Sequence, residues 1–431
     1  MSATDPILQK LDFNCRFCGT KLQHRFVDLG IQPLCESYVA LEDYHKMEPF
    51  YPLEVYVCDE CYLVQLDEFV PADEIFTEYA YFSSFATSWV EHAKKYAHLM
   101  VKRFGFGKSS QVVELASNDG YLLQHFRDLG IPNYGVEPAA NVAEKAREIG
   151  IESIVEFFGV ETATELAAAG RKADLLLGNN VLAQVPDLND FVAGMKILLA
   201  EGGVITMEFP HLLRLMEENQ FDTIYHEHYG YFSWITVEKI FAHHGIRLFD
   251  VDEIPTHGGS LRIYGCHADD ATKVEGKNVA KVRKDELKAG LDTMEAYSDF
   301  ADKVKETKRK ALDFLIEVNR QGKQVAGYGA PGKGNTFLNY CGIRGDLIQY
   351  TCDRNPYKQG RFLPGTRIPI HPPERLEETK PDYIVILPWN FKDEIETQLA
   401  YTENWGAKLV TFIPEVTILD GSAPPRPRRH R

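Results

Sequence analysis

The sequence predicts an α/β protein built on two parallel sheets, with a metal-stapled cap at its amino-terminal end. Three observations carry that prediction. Short apolar runs alternate with helix-period segments from residue 110 to about 265, a second such series begins after Gly322, and two Cys-x-x-Cys pairs punctuate the loop-rich first 75 residues.

In the cap, Cys15-Arg16-Phe17-Cys18 and Cys58-Asp59-Glu60-Cys61 each turn two thiolates toward one point, and the two pairs together complete a tetrahedral shell. Cys15, Cys18, Cys58 and Cys61 are therefore the expected zinc ligands. Zinc binding to such a set contributes on the order of 10 kcal/mol of folding energy, which a loop-rich segment needs. A redox dithiol would sit beside a thioredoxin-like βαβ unit, and none is legible here. Four sulfurs close the shell, so the metal is expected to be structural. The eight cysteines of the chain do not suggest a disulfide framework.

Residues 76–104 read as helical, with Trp89, Ala93, Tyr96 and Met100 on one packing face. The first α/β series then offers strands at 112–115, 133–136, 173–177 and 203–207, with a closing strand at 259–264. The first strand contains Glu114 and opens into Ala116-Ser117-Asn118-Asp119-Gly120. A small-residue turn between strand and helix is where a cofactor's polar end meets backbone N–H groups. The next strand runs into Glu137, placed to take ribose hydroxyls. A third ends in Asn179-Asn180. Glu114, Ala116, Asn118, Gly120, Glu137, Asn179 and Asn180 are accordingly the candidate cofactor-binding residues; each acid taken alone fits capping or solvation equally well. The order from Asp174 through Asn179-Asn180, Pro186-Asp187, a helix, Gly202-Gly203 and a strand ending Glu208-Phe209-Pro210 resembles the late half of a class I methyltransferase domain.

Residues 283–320 are charged, proline-free and helical. The second α/β series has expected strands at 324–328, 347–350, 383–387 and 408–412. Its first turn, Gly327-Tyr328-Gly329-Ala330-Pro331-Gly332, satisfies G-x-G-x-x-G after a strand, with Asp353 beyond the next one. That is a fair NAD fingerprint. Pro331 inside the turn and Lys333-Gly334-Asn335 after it are less usual, and Gly334 stands where a P-loop carries Ser or Thr. No internal repeat is visible.

One segment concentrates reactive groups: Tyr225-His226-Glu227-His228-Tyr229-Gly230-Tyr231. Imidazole exchanges protons near neutral pH, and a tyrosine hydroxyl can donate to a developing enolate oxygen. The bland alternative has Glu227 capping a helix and one histidine buried by hydrogen bonds. His226-Glu227-His228 is not H-E-x-x-H.

The knuckles, Tyr81-Phe82-Ser83-Ser84, the run from Glu114 to Gly120, Tyr225 to His228 and the run from Gly327 to Asn335 occur in one order, from about residue 12 to 415. That order resembles the sugar C-methyltransferase family, zinc-containing enzymes that use S-adenosylmethionine to methylate nucleotide-linked 4-keto-6-deoxy sugars at C3. The resemblance implies a class I methyltransferase Rossmann-like core between a zinc-binding cap and a carboxy-terminal Rossmann-like domain. It implies that His228 removes the C3 proton, with Tyr225 and Glu227 holding the enolate or orienting the base. Tyr79, Tyr81, Gln184, His257, Arg262, Lys333 and Asn335 become the candidate substrate-binding residues, with Lys333 and its turn near the nucleotide phosphates. Gln184 departs from the pattern, because relatives often carry histidine there and glutamine does not titrate.

The expected division is a zinc-binding domain at 1–75, a methyltransferase domain at 76–282, connecting helices at 283–321, a substrate-binding domain at 322–420 and a disordered tail at 421–431. A net charge of −16 argues against a nucleic-acid partner. No run of about 18 apolar residues suggests a membrane span, and no secretory signal is legible, so a cytoplasmic monomer or homodimer acting on a nucleotide-linked keto sugar is expected. The nucleotide, thymidine or guanosine diphosphate, is not legible. Two other readings remain open: an NAD-dependent oxidoreductase using the carboxy-terminal domain, and a non-catalytic zinc-module binding protein.

Overall fold

The structure is a computed structural model that describes residues 13–68, 70–71, 83–85 and 87–419. Its contacts gather into two units. Unit 1 comprises Met1–Arg25, Val55–Leu213 and Glu227–Tyr297; unit 2 comprises Phe26–Glu54, Arg214–His226 and Ser298–Arg431. The chain thus leaves unit 1 in strand β1 (His24–Gln32) and returns in β2 (Tyr51–Val57). Residues 26–54 lie inside the expected cap, yet their contacts are with the carboxy-terminal series. Phe26 stacks on Phe300 at 4.4 Å, and Val39 bridges to Phe362. The expected tail lies outside the described residues.

In unit 1, β3 (Val64–Leu66) pairs antiparallel with the end of β2 through Val55 and Leu66, and on its other side with β9 (Gly230–Tyr231). Helix α1 (Thr87–Phe104) follows; Ala93, Tyr96 and Met100 are buried on its inner face, as expected of a packing stripe. The large sheet consists of β4 (Val112–Leu115), β5 (Asn133–Val136), β6 (Ser153–Ile154), β7 (Ala173–Asn179), β8 (Leu199–Pro210), β10 (Ile246–Ile254) and β11 (Ser260–His267). Its spatial order is β10-β11-β8-β7-β4-β5-β6, with β11 antiparallel to both neighbours. Val112, Val113 and Leu115 are wholly buried, which is why the central strands read as continuous apolar runs. Because β5 and β6 lie on one side of β4 and β7 and β8 on the other, the strand order reverses at β4. A crevice opens there beyond the carboxyl ends of the strands. Helices α2 (Leu188–Leu198), α3 (Trp234–His243) and α4 (Lys277–Lys288) belong to the same unit. Asp187 caps α2 through Asp190 N–H, and Ser233 caps α3 through Thr236 N–H.

Unit 2 holds α5 (Phe300–Arg320) and a six-stranded sheet of β12 (Val325–Tyr328), β13 (Thr351–Cys352), β14 (Ile370–His371), β15 (Tyr383–Ile386), β16 (Lys408–Thr411) and β17 (Thr417–Leu419). The order is β14-β13-β12-β15-β16-β17, parallel except for β17, so this sheet also reverses at its first strand. The strand expected at 347–350 is displaced. Leu347 and Ile348 N–H groups turn back to Arg344 O, and bonding to β12 begins where Gln349 N–H donates to Val325 O and Tyr350 O accepts Gly327 N–H, ahead of the paired Thr351. Among the described residues, no helix is long and apolar enough to cross a membrane.

Candidate functional site

The four knuckle sulfurs lie within 4.8 Å of one another, with Cys15 to Cys61 and Cys18 to Cys58 both at 3.5 Å. A tetrahedron of sulfurs about 2.3 Å from one ion has edges of roughly 3.8 Å, so the spacing fits zinc. Each pair sits on a tight turn, closed by Gly19 N–H donating to Cys15 O and Tyr62 N–H donating to Cys58 O. Gly19 and Tyr62 adopt positive φ there. Hydrogen bonds from Cys58 and Cys61 drive the Cys15 thiol far below the usual range. The same contact with Cys15 pushes Cys58 up to about 11 and Cys61 higher still. Four sulfurs this close do not all ionise without a cation. The cluster is a zinc site, and its closed donor set gives the metal a structural role.

At the reversal point of unit 1, the turn after β4 alternates left-handed residues: Ala116, Asn118 and Gly120 all have φ between 50° and 77°. Non-glycine residues held at positive φ store strain, which clusters at ligand sites. Glu137 accepts from Asn118 N–H and Ala139 N–H, both at 2.9 Å, and so fixes the turn from the neighbouring strand. Burial raises the Glu137 carboxyl despite those bonds. It holds Glu114, backed by Asp119, well above the carboxylate range. Around this turn, buried polar atoms lack a partner among the described residues: Glu114 Oε2, Ser117 Oγ, Asp119 Oδ1, both amide atoms of Asn179, and Asn180 Oδ1. Buried groups of this kind are rare unless a ligand or water completes them. Carboxylates, amides and a hydroxyl are the donor set that an amino acid, a ribose and an adenine require. The residues present fit S-adenosylmethionine.

The expected reactive segment divides. Between His226 and Glu227 the chain passes from unit 2 to unit 1. His226 packs against Tyr51, and its Nε2 lies 3.0 Å from Pro52 O; burial lowers its pKa, so it is a neutral, packed histidine. Glu227 and His228 are also buried, while Tyr225 is half-buried. The His228 ring meets Tyr231 edge-on at 6.3 Å. Its neighbour Tyr229 donates its N–H to Ala183 O at 2.7 Å and accepts Leu66 N–H at 3.0 Å. These two bonds fasten His228 beside the loop that leaves β7, the loop that starts with Asn179 and Asn180.

Gln184 ends a 3₁₀ turn (Leu182–Gln184) in that same loop. His257, at φ 54°, faces Asn180, with its Nε2 3.0 Å from Asn180 Nδ2, and meets Trp89 edge-on. Arg262 lies on β11 and is engaged with Glu208, through Nε at 2.6 Å and Nη2 at 2.5 Å. Tyr79 and Tyr81 lie outside the described residues. Ser83 and Ser84, which end that motif, donate their N–H groups to Asn118 Oδ1 and Asp119 Oδ2, so the motif's end meets the turn after β4.

In unit 2 the glycine-rich turn joins β12 to helix α6 (Gly332–Cys341) at the reversal point. Its polar groups are largely met by the protein. Asp353 accepts Ala330 N–H, Ala330 O receives Tyr38 Oη–H and Lys358 Nζ, and Asn335 Nδ2 donates to Cys35 O. A Cβ on Gly332 would sit 2.8 Å from Cys35 Sγ and 3.1 Å from Glu36 Oε1. Lys333 donates to Asn390 Oδ1 and lies 5.0 Å over the Trp389 ring; burial lowers its pKa, opposed by Asp222. Asp222 Oδ1 and Asn335 Oδ1 have no partner among the described residues.

Sequence reasoning missed several groups at the unit 1 site. His92 and Arg262 share the buried Glu208 carboxylate, with His92 at 2.8 Å. Burial alone would raise Glu208, but these two partners outweigh it and hold the group below its usual value. Trp89 stacks on His92 at 4.9 Å and on Tyr121 at 6.2 Å. Ser117 and Asp119 stood inside the quoted turn without being singled out. The strand ending at Glu208 was also legible. Its pairing with a histidine on α1 was not.

Comparison with known proteins agrees along the whole length. Residues 15–76 match a zinc binding domain, residues 89–251 a methyltransferase domain, and residues 255–414 a C-methyltransferase C-terminal domain. The C-methyltransferase NovU of Streptomyces niveus is 35% identical over 418 residues, covering 97% of this chain and 99% of that protein. Among solved structures, a SAM-dependent methyltransferase from Anabaena variabilis covers 42% of this chain and 86% of its own, at 14% identity and a TM-score of 0.34. Magnesium protoporphyrin IX methyltransferase from Synechocystis with bound SAM covers 41% and 78%, at 14% identity and a TM-score of 0.31.

Proposed function

Because the chain belongs to the C-methyltransferase family, we propose that this S-adenosylmethionine-dependent enzyme methylates C3 of a nucleotide-linked 4-keto-6-deoxy sugar. The observation that carries the proposal is the bond from Tyr229 N–H to Ala183 O, which fastens His228 beside the loop leaving β7. Carbon next to a carbonyl becomes nucleophilic once its proton is removed. His228 takes the C3 proton onto its imidazole, and the electrons settle on the C4 oxygen as an enolate. Tyr225 donates to that oxygen, and Glu227 orients the base. When bound, S-adenosylmethionine supplies an electrophilic methyl on its sulfonium. Asn118, Glu137, Asn179 and Asn180 hold the cofactor, with Glu114 beneath the turn. Gln184 orients the sugar through hydrogen bonds alone, since an amide carries no exchangeable charge. His257 and Arg262 line the sugar side. Lys333 serves the nucleotide's phosphates, and Asn335 offers the substrate its Oδ1 as an acceptor. Tyr79 and Tyr81 complete the sugar contacts.

Product mass tests this directly. Protein, S-adenosylmethionine and a panel of thymidine and guanosine diphosphate 4-keto-6-deoxy sugars in deuterated water are expected to yield a sugar heavier by one methylene. Without cofactor, the C3 proton is expected to exchange for deuterium. His228→Asn is expected to keep cofactor binding and lose both exchange and turnover; unchanged exchange in that variant removes His228 from the mechanism.

A further inference from the structure

We infer that Arg16, inside the first zinc knuckle, is a positioning residue that locks the His228 segment to the loop leaving β7. The inference rests on the reading of His228 as the base. Arg16 stands between Cys15 and Cys18, yet its side chain bonds outside the knuckle. Nη1 donates to Pro186 O at 2.6 Å, and Nη2 donates to Leu66 O. The guanidinium lies 5.4 Å over the Tyr229 ring. Pro186 closes the loop that contains Gln184, Leu66 is bonded to Tyr229, and Tyr229 adjoins His228. One side chain therefore ties together both chain segments whose separation sets the distance from base to cofactor loop.

The backbone of Arg16 anchors it in turn. Its N–H donates to Gln65 Oε1 at 2.9 Å, and Gln65 Nε2 donates to Cys15 Sγ at 3.2 Å. On the other side, Asn189 on α2 donates through Nδ2 to Arg16 O and Phe17 O, at 3.2 and 2.9 Å. The knuckle thus holds Arg16 rigidly, and Arg16 holds the segments. This geometry requires arginine: a planar fork reaches two divergent carbonyls and stacks on an aromatic ring at once, whereas a lysine ammonium offers a single point charge. A residue serving only the knuckle's own stability would spend its bonds within the knuckle. The zinc site acquires a role beyond stapling a loop-rich segment, because it sets the register of the candidate base.

The test uses full-length, zinc-loaded protein with Arg16→Ala and Arg16→Lys. Both are expected to keep full zinc content and unchanged affinity for S-adenosylmethionine. In Arg16→Ala, amide hydrogen exchange at Tyr229 and Leu66 is expected to quicken while exchange at Gly19 and Tyr62 holds. Its kcat is expected to fall on the order of 100-fold, the size of effect that a misplacement of about 1 Å produces, with KM little changed. Free guanidinium is expected to restore part of the loss, and Arg16→Lys to fall between. Unchanged exchange and kcat overturn the inference. So does loss of zinc in both variants, which would assign Arg16 to the knuckle alone. If the wild-type chain methylates no keto sugar, the reading of the reaction falls, and the exchange measurement still decides the role of Arg16.

Discussion

Each unit of this protein carries a small-residue turn at the point where its parallel sheet reverses, and the two turns differ in how their polar groups are satisfied. After β4, Glu114 Oε2, Ser117 Oγ, Asp119 Oδ1, Asn180 Oδ1 and the whole Asn179 amide have no partner among the described residues. After β12, the segment from Cys35 to Tyr38, together with Asp353 and Lys358, meets most of what the turn offers. By pattern, the second turn has the better glycine fingerprint for a dinucleotide. By hydrogen-bond accounting, the first leaves more buried polar atoms for a cofactor to meet. Unmet buried polarity says more about binding than glycine spacing does, because an unpaired buried group costs the fold energy that a ligand returns.

The largest effect expected from breaking this contrast comes from Gly329→Ala. Gly329 has φ +87°, and a Cβ there would meet Pro388 Cδ at 2.4 Å, a ring atom that cannot swing away. The variant is expected to lose about 3 kcal/mol or more of stability in chemical denaturation, with S-adenosylmethionine binding retained. Gly120→Ala, facing only flexible isoleucine and alanine side chains at 3.1 Å and beyond, is expected to cost clearly less.

Asp222 provides a similar effect that depends on pH. Burial pushes its carboxyl up to about 6, with Lys333 and the Trp389 indole N–H opposing. Between its unfolded value and pH 6 the unfolded chain releases this proton while the folded chain keeps it. Stability therefore falls as pH rises through that window, by roughly 3 kcal/mol in all, and stays low above it. Asp222→Asn keeps an oxygen for Trp389 and is expected to flatten that slope and stabilise the protein at pH 8. Urea midpoints at pH 4, 5, 6 and 8 check both.

The sharper pair is smaller in energy. Asp353→Ala strips the acceptor from Ala330 N–H and Asn355 N–H and is expected to cost about 2 kcal/mol of stability without weakening cofactor binding. Asn179→Ala removes a buried amide. With no partner for it among the described residues, the change is expected to alter stability by less than about 0.5 kcal/mol while weakening S-adenosylmethionine binding roughly tenfold. If Asn179→Ala destabilised the ligand-free protein as strongly as Asp353→Ala, the contrast between the turns would be lost.

What the sequence revealed followed the reach of its local signals. Strands β4 and β5 fall on their expected residues because burial on both faces leaves short, mostly apolar runs with turn residues at each end. The knuckles were legible because spacing alone brings sulfurs together. The strand expected at 347–350 began two residues too early because Leu347 and Ile348 are apolar yet sit in a turn, and apolarity alone does not separate the two. Nothing local indicated that residues 26–54 pack with the carboxy-terminal series, since Phe26 on Phe300 is a tertiary event. At the site, the turn residues were recognisable from their types. His92, Glu208 and Arg16 were not singled out, because each acts through a partner far away in sequence.

Calorimetric titration of cofactor tests the central claim most directly. Wild-type protein is expected to bind one equivalent of S-adenosylmethionine and no NAD, with affinity lost in Glu137→Ala and kept in Asp353→Ala. Binding of NAD that disappears in Asp353→Ala, with S-adenosylmethionine binding indifferent to Glu137, would contradict it and make the second turn the cofactor site.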